Sequence, residues 1–135
     1  MDTELIEMIK KDEGLMLFPY VDSVGKLTIG YGRNLEDKGI RQDEAEHMLI
    51  NDIEEAEAEL ERVFPIAKTL STNRYRALVN MIFNLGTVKF LQFKKMRHAI
   101  EQGDFERAAD EMLDSLWARQ VKGRAERLAK MMREG

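Results

Sequence analysis

Apolar residues recur at helical spacing along most of this chain. Leu5, Ile6 and Ile9 form one stripe over residues 3–13, with Asp2 or Thr3 able to cap its start and Gly14 its end. A second stripe, Ala45, Met48, Leu49, Ile53, Ala56, Leu60 and Val63, predicts a helix that begins near residue 42 and stops before Pro65. At roughly 20 residues it spans about 30 Å, enough to join two lobes. Residues 72–85 show little polar surface: Leu78, Val79, Met81, Ile82, Phe83 and Leu85 mark a central core helix, capped by Ser71 or Thr72 and ended by Gly86. Shorter helices are predicted over about 89–101, 105–115 and 121–133. Phe90, Phe93, Ile100, Phe105, Ala108, Met112, Leu113, Trp117 and Leu128 supply their packing.

Between the first two stripes the period changes. Leu15–Tyr20 is a short apolar run interrupted by Pro19, which suits an edge strand. Asp22-Ser23-Val24-Gly25 is a turn signal. Leu27, Ile29 and Tyr31 then alternate with Lys26, Thr28 and Gly30, a strand with Thr28 on its less apolar face. Gly30 and Gly32 imply bends or close backbone approach. The expectation is a mainly α (α+β) fold in one domain over residues 1–135. A small β-hairpin lobe covers about 14–52; residues 1–13 and 53–135 form a helical lobe and connecting helix.

Composition narrows the class. Hydrophobic content of 44% with 34% charged residues marks a soluble globular chain, and the absence of cysteine excludes disulfides and Cys-based metal sites. His47 and His98 read as surface histidines, and the nine methionines as adaptable core filler. The start MDTELIEMIKKDEG has no signal-peptide pattern, and no apolar run reaches transmembrane length, so accumulation in the producing cell's cytoplasm is expected. The net charge of −4 conceals an acidic stretch at 43–62 and a basic one at 116–135. Most of these charges read as solvated helix faces; a share of the basic tail can attract anionic polymers, with no nucleic-acid motif beside it.

The chemistry concentrates in Asp12–Arg33. Glu13, Asp22 and Thr28 follow the spacing Glu-x8-Asp-x5-Thr, closed by Thr28-Ile29-Gly30-Tyr31-Gly32. Glu13 stands where a helix ends, and the partial negative charge there, with burial under Phe18 or Tyr20, favours a protonated general acid. Asp22 lies in a turn whose N–H groups and water keep it ionised, and Thr28 can hold a water from the next strand. Two carboxyl groups in different protonation states are what acid/base cleavage of a glycosidic bond needs. Each residue alone has a plainer explanation: surface charge, an Asx turn and β-propensity. The case rests on all three together.

The segment closely resembles the phage-type lysozymes of the T-even bacteriophage family, glycoside hydrolase family 24. The matching words are Asp12-Glu13-Gly14-Leu15, Tyr20-x-Asp22, Gly25 and Thr28-Ile29-Gly30-Tyr31-Gly32. The resemblance resumes at Asp43–Glu46 through Asp52, runs through Arg74–Gly86, and continues in Phe105–Ala109, Ser115–Trp117 and Gly123–Arg127. It implies a lysozyme-like fold and an N-acetylmuramidase that cuts the β-1,4 bond between N-acetylmuramic acid and N-acetylglucosamine with inversion. Glu13 matches the acid; Asp22 and Thr28 match the residues that handle the attacking water. Phe83 and Asn84 match positions lining the substrate cleft. Arg124 matches an arginine close to the acid, where its charge would oppose protonation of Glu13. The resemblance implies no metal or cofactor. It implies peptidoglycan as substrate, a monomer, and a holin-type partner that lets the enzyme out to the cell wall.

Some positions depart from that pattern. Arg33 replaces a histidine that pairs with the acid matching Asp52, so an Arg33–Asp52 ion pair is expected. Arg41 replaces a Ser or Thr helix cap, weakening the helix start by about 1 kcal/mol. The loop Asn34–Ile40 is much shorter than in the T-even phage enzymes. Two other readings stay open: a lytic transglycosylase, for which Asp22 and Thr28 would be dispensable, and a catalytically silent module that binds glycan or protein.

Overall fold

The computed structural model describes all residues, Met1–Gly135. The fold is mainly helical with a small antiparallel sheet, as expected. The chain divides into two compact units, Met1–His47 and Met48–Gly135. No helix is long and apolar enough to cross a membrane.

In the first unit, helix α1 (Thr3–Glu13) begins and ends where its caps predict. The Asp2 carboxylate accepts the Leu5 N–H at 3.0 Å, and the Gly14 N–H donates to the Lys10 carbonyl at 2.9 Å. Strands β1 (Met16–Val21), β2 (Leu27–Gly30) and β3 (Arg33–Asn34) form one antiparallel sheet in the order β1-β2-β3. Pro19 therefore sits on an edge strand, and the expected hairpin gains a third, two-residue strand. The expected loop at 34–40 instead contains a one-turn helix, α2 (Leu35–Lys38). Asn34 caps it by accepting the Asp37 N–H at 3.0 Å, and Glu36 on α2 accepts the Leu27 N–H at 2.9 Å. A short acidic helix thus satisfies a strand donor, which hydropathy alone does not announce.

Helix α3 (Gln42–Val63) starts without a Ser or Thr cap, but the deficit is met from within. Glu44, its third residue, accepts the Arg41 N–H at 2.9 Å, one half of a capping box. The same carboxylate receives the Arg33 fork at 2.9 and 3.0 Å, while Arg33 also donates to the Gly39 carbonyl at 3.1 Å. Arg33 therefore pairs with Glu44 and not, as expected, with Asp52. The planar guanidinium meets both oxygens of a carboxylate on the first turn of α3. Hydrogen bonds from Arg33 and the Arg41 N–H hold the Glu44 carboxyl below the usual carboxylate range, and Glu44 raises Arg33 in turn.

In the second unit the α3 stripe closes on the core only over its later half: Ala56 and Leu60 are buried, while Met48, Leu49 and Ile53 are exposed. A 3-10 turn, Pro65–Thr69, leads from the buried Phe64 to α4 (Thr72–Leu85), capped by Ser71, which accepts the Arg74 N–H at 3.2 Å. Ala77, Leu78, Val79, Met81 and Ile82 make α4 the central core helix; Phe83, expected in its core face, is 41% exposed. The helix expected over 89–101 is two, α5 (Thr87–Leu91) and α6 (Lys94–Glu101). Phe90 and Ala99 are both buried, yet nine residues apart on one helix they would face opposite ways; the break resolves this. Helix α7 (Phe105–Leu113) is capped by Asp104 and leaves Leu113 exposed. The helix expected over 121–133 is α9 (Gly123–Glu134), and a short helix that was not expected, α8 (Leu116–Val121), precedes it.

Two arginines fasten α9. Arg74 donates to the Met132 carbonyl at 2.7 Å and the Arg133 carbonyl at 3.1 Å, while its guanidinium lies 3.6 Å from the Phe105 ring centroid. A cation on the last carbonyls of a helix also opposes its dipole. Arg133 reaches Glu106 at 2.7 Å and Asp110 at 2.8 Å on α7. Met81, Met96, Met112 and Met132 fill the core; Met8, Met16 and Met48 are exposed, so the reading of methionine as filler holds for only part of the set.

Lys122, between α8 and α9, is the one non-glycine residue with positive φ, at φ 48° and ψ −108°. Lys122→Gly should relieve that strain and, net of the entropy glycine adds to the unfolded chain, stabilise by about 0.5–1 kcal/mol, raising Tm by roughly 2–4 °C. Calorimetry checks this; an unchanged or lowered Tm contradicts it. The Arg33–Glu44 pair predicts a pH signature. The folded Glu44 value lies below that of the unfolded chain, about 4.3, so its contribution is present above that pH and lost as pH falls through the folded value. The Tm gap between the wild type and Glu44→Gln should therefore be present at neutral pH and close in acid; a gap constant across the range would rule the pair out as its source.

Candidate active site

The three residues expected to carry catalysis all lie in the first unit. Glu13 is the last residue of α1 and is exposed; Phe18 is exposed too, so the expected burial of Glu13 beneath it is not found. Packing instead comes from the backbone of the β2–β3 turn. Gly32 lies against the carboxyl so closely that an added Cβ would stand 2.5 Å from Oε2 and 2.9 Å from Cδ. Its φ of 74° also belongs to the left-handed region that glycine adopts without strain. Next to it, Lys10 places its ammonium 5.6 Å from the Tyr31 ring centroid, a second link between α1 and the turn.

Asp22 follows β1 directly and builds the turn. Its Oδ1 accepts the Val24 N–H at 3.0 Å and the Lys26 N–H at 2.8 Å. The Asx-turn role that serves as the plain explanation of Asp22 is therefore real, and it uses one oxygen. Oδ2 is left to accept from elsewhere. Thr28, in the middle of β2, is only 3% exposed and is the one buried polar side chain. The less apolar face of β2 is thus the inward one, while Leu27 on the other face is exposed. Thr28 Oγ1 donates to the Lys26 carbonyl at 2.9 Å, the same oxygen that accepts the Asp22 N–H at 2.9 Å.

Lys26 therefore ties Asp22 to Thr28 through its own backbone, a role that its side chain gives no reason to suspect. With its proton committed, the Thr28 hydroxyl is left to act as an acceptor. Asp22 Oδ2 and Thr28 Oγ1 each keep acceptor capacity for a further donor.

The other three candidates lie in the second unit. Phe83 and Arg124 line a cavity of about 360 Å³ together with Leu49, Ile53, Val79 and Asn80. Arg124 donates from Nε to the Asn80 side chain at 2.8 Å, a partner the sequence reading did not single out. Asn84 does not line that cavity. Its Oδ1 accepts the Trp117 indole N–H at 2.8 Å, and Trp117 stacks edge-on against Phe93 with centroids 6.1 Å apart. Tyr75, also on the cavity wall, lies 3.1 and 3.2 Å from carboxylate oxygens of Glu57 and Glu61; burial and these two acids push its ionisation upward. No group of three or more acidic or histidine side chains is arranged to hold a metal ion.

The mainly helical fold with its small N-terminal sheet is lysozyme-like. The sequence model of the Phage lysozyme family matches residues 10–133. Probable T4-type lysozyme 2 of Dictyostelium discoideum is 32% identical in a match covering all of this chain and 96% of the relative. Probable T4-type lysozyme 1 of the same organism is 28% identical, again over the whole chain and 96% of the relative. The pre-baseplate central spike protein Gp5 of Enterobacteria phage T4 is 28% identical over 97% of this chain, which spans only 28% of that protein. The chain belongs to the phage lysozyme family, glycosidases that lyse peptidoglycan.

Gly32 offers a test of the Glu13 geometry. The collision in Gly32→Ala falls on the movable end of the Glu13 side chain, so the carboxyl rather than the fold should yield. Cell-wall hydrolysis should fall by about 100-fold, the order of loss that a 1 Å misplacement brings, alongside a modest Tm loss from the positive φ. Gly103→Ala is the control: its φ is 72° but a Cβ there meets nothing within 4 Å. It should lose similar stability and keep activity. Equal activity loss in both variants would refute the contact's role.

Proposed function

We propose that this protein is an N-acetylmuramidase that hydrolyses the β-1,4 bond between N-acetylmuramic acid and N-acetylglucosamine with inversion at the anomeric carbon. The observation that carries the reading is the Lys26 backbone anchor, which ties Asp22 to Thr28 and leaves each an acceptor; on this reading the two hold the attacking water. In the proposed step, Glu13 gives its proton to the leaving sugar oxygen as the glycosidic C–O bond breaks. The water oxygen bonds to the anomeric carbon from the opposite face, and Asp22 takes the proton it sheds. Inverting enzymes keep their two carboxyl groups about 6.5–9.5 Å apart to admit that water. After turnover Asp22 holds a proton and Glu13 has lost one; exchange with solvent resets both.

On this reading Phe83 and Arg124 line part of the sugar groove, and Asn84 supports it by holding the Trp117 indole. The enzyme works as a monomer in lysis of a host bacterium. It accumulates in the host cytoplasm and reaches the wall when a holin-type protein opens the membrane. A water-holding Asp22 and Thr28 have no use in a transglycosylase, where the sugar's own hydroxyl attacks; anchoring both residues on Lys26 favours hydrolysis.

Purified peptidoglycan digested in ¹⁸O-water tests the reading. The wild type should release reducing muramic acid ends carrying one ¹⁸O, with the α anomer appearing first. Glu13→Gln should fold normally and lose at least about 100-fold in rate, as expected for removal of a general acid. Unlabelled anhydro-sugar ends would identify a transglycosylase. A folded wild type that binds glycan without cutting it would identify a binding module.

A further inference from the structure

Strand β1 is not regular. Tyr20 pairs with Thr28 and Val21 with Leu27, but Met16 pairs with Gly30. Four steps along β1 match two along β2, so Leu17, Phe18 and Pro19 share the single opposing residue Ile29. The three residues are squeezed out as a bulge, with Leu17 74% and Phe18 80% exposed. An aromatic side chain this open contributes little to the fold; with Leu15 and Met16 also exposed, Leu17 and Phe18 belong to a continuous exposed apolar run, and contiguous apolar surface is a common mark of a binding surface.

The ends of the bulge tie it to the candidate site. Met16 stands opposite Gly30, two residues before the Gly32 that touches the Glu13 carboxyl. Tyr20 stands opposite Thr28, which shares the Lys26 carbonyl with the Asp22 N–H. Along the sheet edge, Leu17 and Phe18 therefore lie between the acid end of the site and its water-holding end. Bulges beside active sites re-aim side chains at the cost of a local gap in the ladder. Here the gap spans Leu17–Pro19, and what it projects is wholly apolar.

We infer that Leu17 and Phe18 form an apolar platform that seats a sugar ring of the glycan strand next to the bond being cut. An N-acetylated aminosugar presents a face of C–H groups and acetyl methyls, and the electron-rich face of a phenyl ring accepts such polarised hydrogens. Pro19 offers no N–H, which blunts this edge against addition of a partner strand and leaves side-chain stacking as its means of recognition. The platform carries no charge, so its contribution is insensitive to salt. It touches a ring rather than the reacting atoms, so it binds ground and transition states alike and acts on KM rather than kcat. The inference rests on the muramidase reading and names the part of the substrate that this edge holds.

Steady-state cleavage of peptide-free glycan strands by the wild type, Phe18→Ser and Phe18→Trp tests it. Phe18→Ser should raise KM on the order of tenfold with kcat changed by no more than about twofold, and Phe18→Trp should keep the wild-type KM. Melting should be unaffected in both, since the side chain is exposed. An unchanged KM in Phe18→Ser, or a loss confined to kcat, overturns the platform. So does a change in sedimentation on Phe18→Ser without a change in KM, which would make the knob a contact between copies. A second arm separates this inference from the muramidase reading: glycan titration of Glu13→Gln by NMR, with and without Phe18→Ser. If the wild type cuts nothing yet Phe18→Ser still weakens binding about tenfold, the platform stands and the muramidase reading falls. If cleavage is robust and binding is indifferent to Phe18, the reverse holds.

Discussion

The Glu13 carboxyl lies against Gly32 with no room for even a methyl group between them. Much in the first unit follows from that contact. The β2–β3 turn must approach with bare backbone and at positive φ, which only glycine does without strain. The helix carrying Glu13 must stop there, and the Gly14 cap stops it. Lys10, one turn earlier on α1, comes over the Tyr31 ring and holds the same two elements from the side. The acid is thus positioned by backbone shape, the Gly32 backbone lying against its carboxyl.

The water-holding end is built differently, from a single peptide neighbourhood. Lys26 supplies an N–H to Asp22 and a carbonyl to Thr28. Both side chains are anchored by one atom and keep acceptor capacity for another partner. Burying the Thr28 hydroxyl would be costly without that bond, and its presence lets the inner face of a small strand be polar. The bulged edge of β1 lies between these two ends, where it is open to solvent.

The second unit draws its order from long-range ties. Arg74 closes the carbonyl end of α9 while stacking on Phe105, and Arg133 bridges from α9 to two acids on α7. Its core gathers around α4, and the polar pairs Arg124–Asn80 and Trp117–Asn84 sit at that helix's C-terminal half. Relatives of very different length carry this same kind of domain: the two amoebal lysozymes are matched over 96% of their length, the phage spike protein over 28%. The lysozyme-like sequence therefore occurs both nearly alone and as part of a larger chain.

Local chemistry was legible in the sequence. Asp2 and Ser71 cap the helices they precede, Gly14 and Gly86 end theirs, and Asp22 makes its turn, because each acts through hydrogen bonds a few residues away. The Glu-x8-Asp-x5-Thr spacing and its glycines were likewise readable, and they pointed to the family. What needed the tertiary structure was every choice among distant partners. Arg33 took Glu44 rather than the expected Asp52, since a helix start with an unmet N–H gave that carboxylate two uses. Hydropathy placed Phe83 in the core and Thr28 on the less apolar face, merged α5 and α6 into one helix and left α8 out. Burial is decided by which surfaces meet, and a one-dimensional pattern does not contain that information. The sequence by itself determined where elements begin and end and which groups can do chemistry. Packing decided which of those groups touch, because contact between residues far apart in the chain is a property of three dimensions.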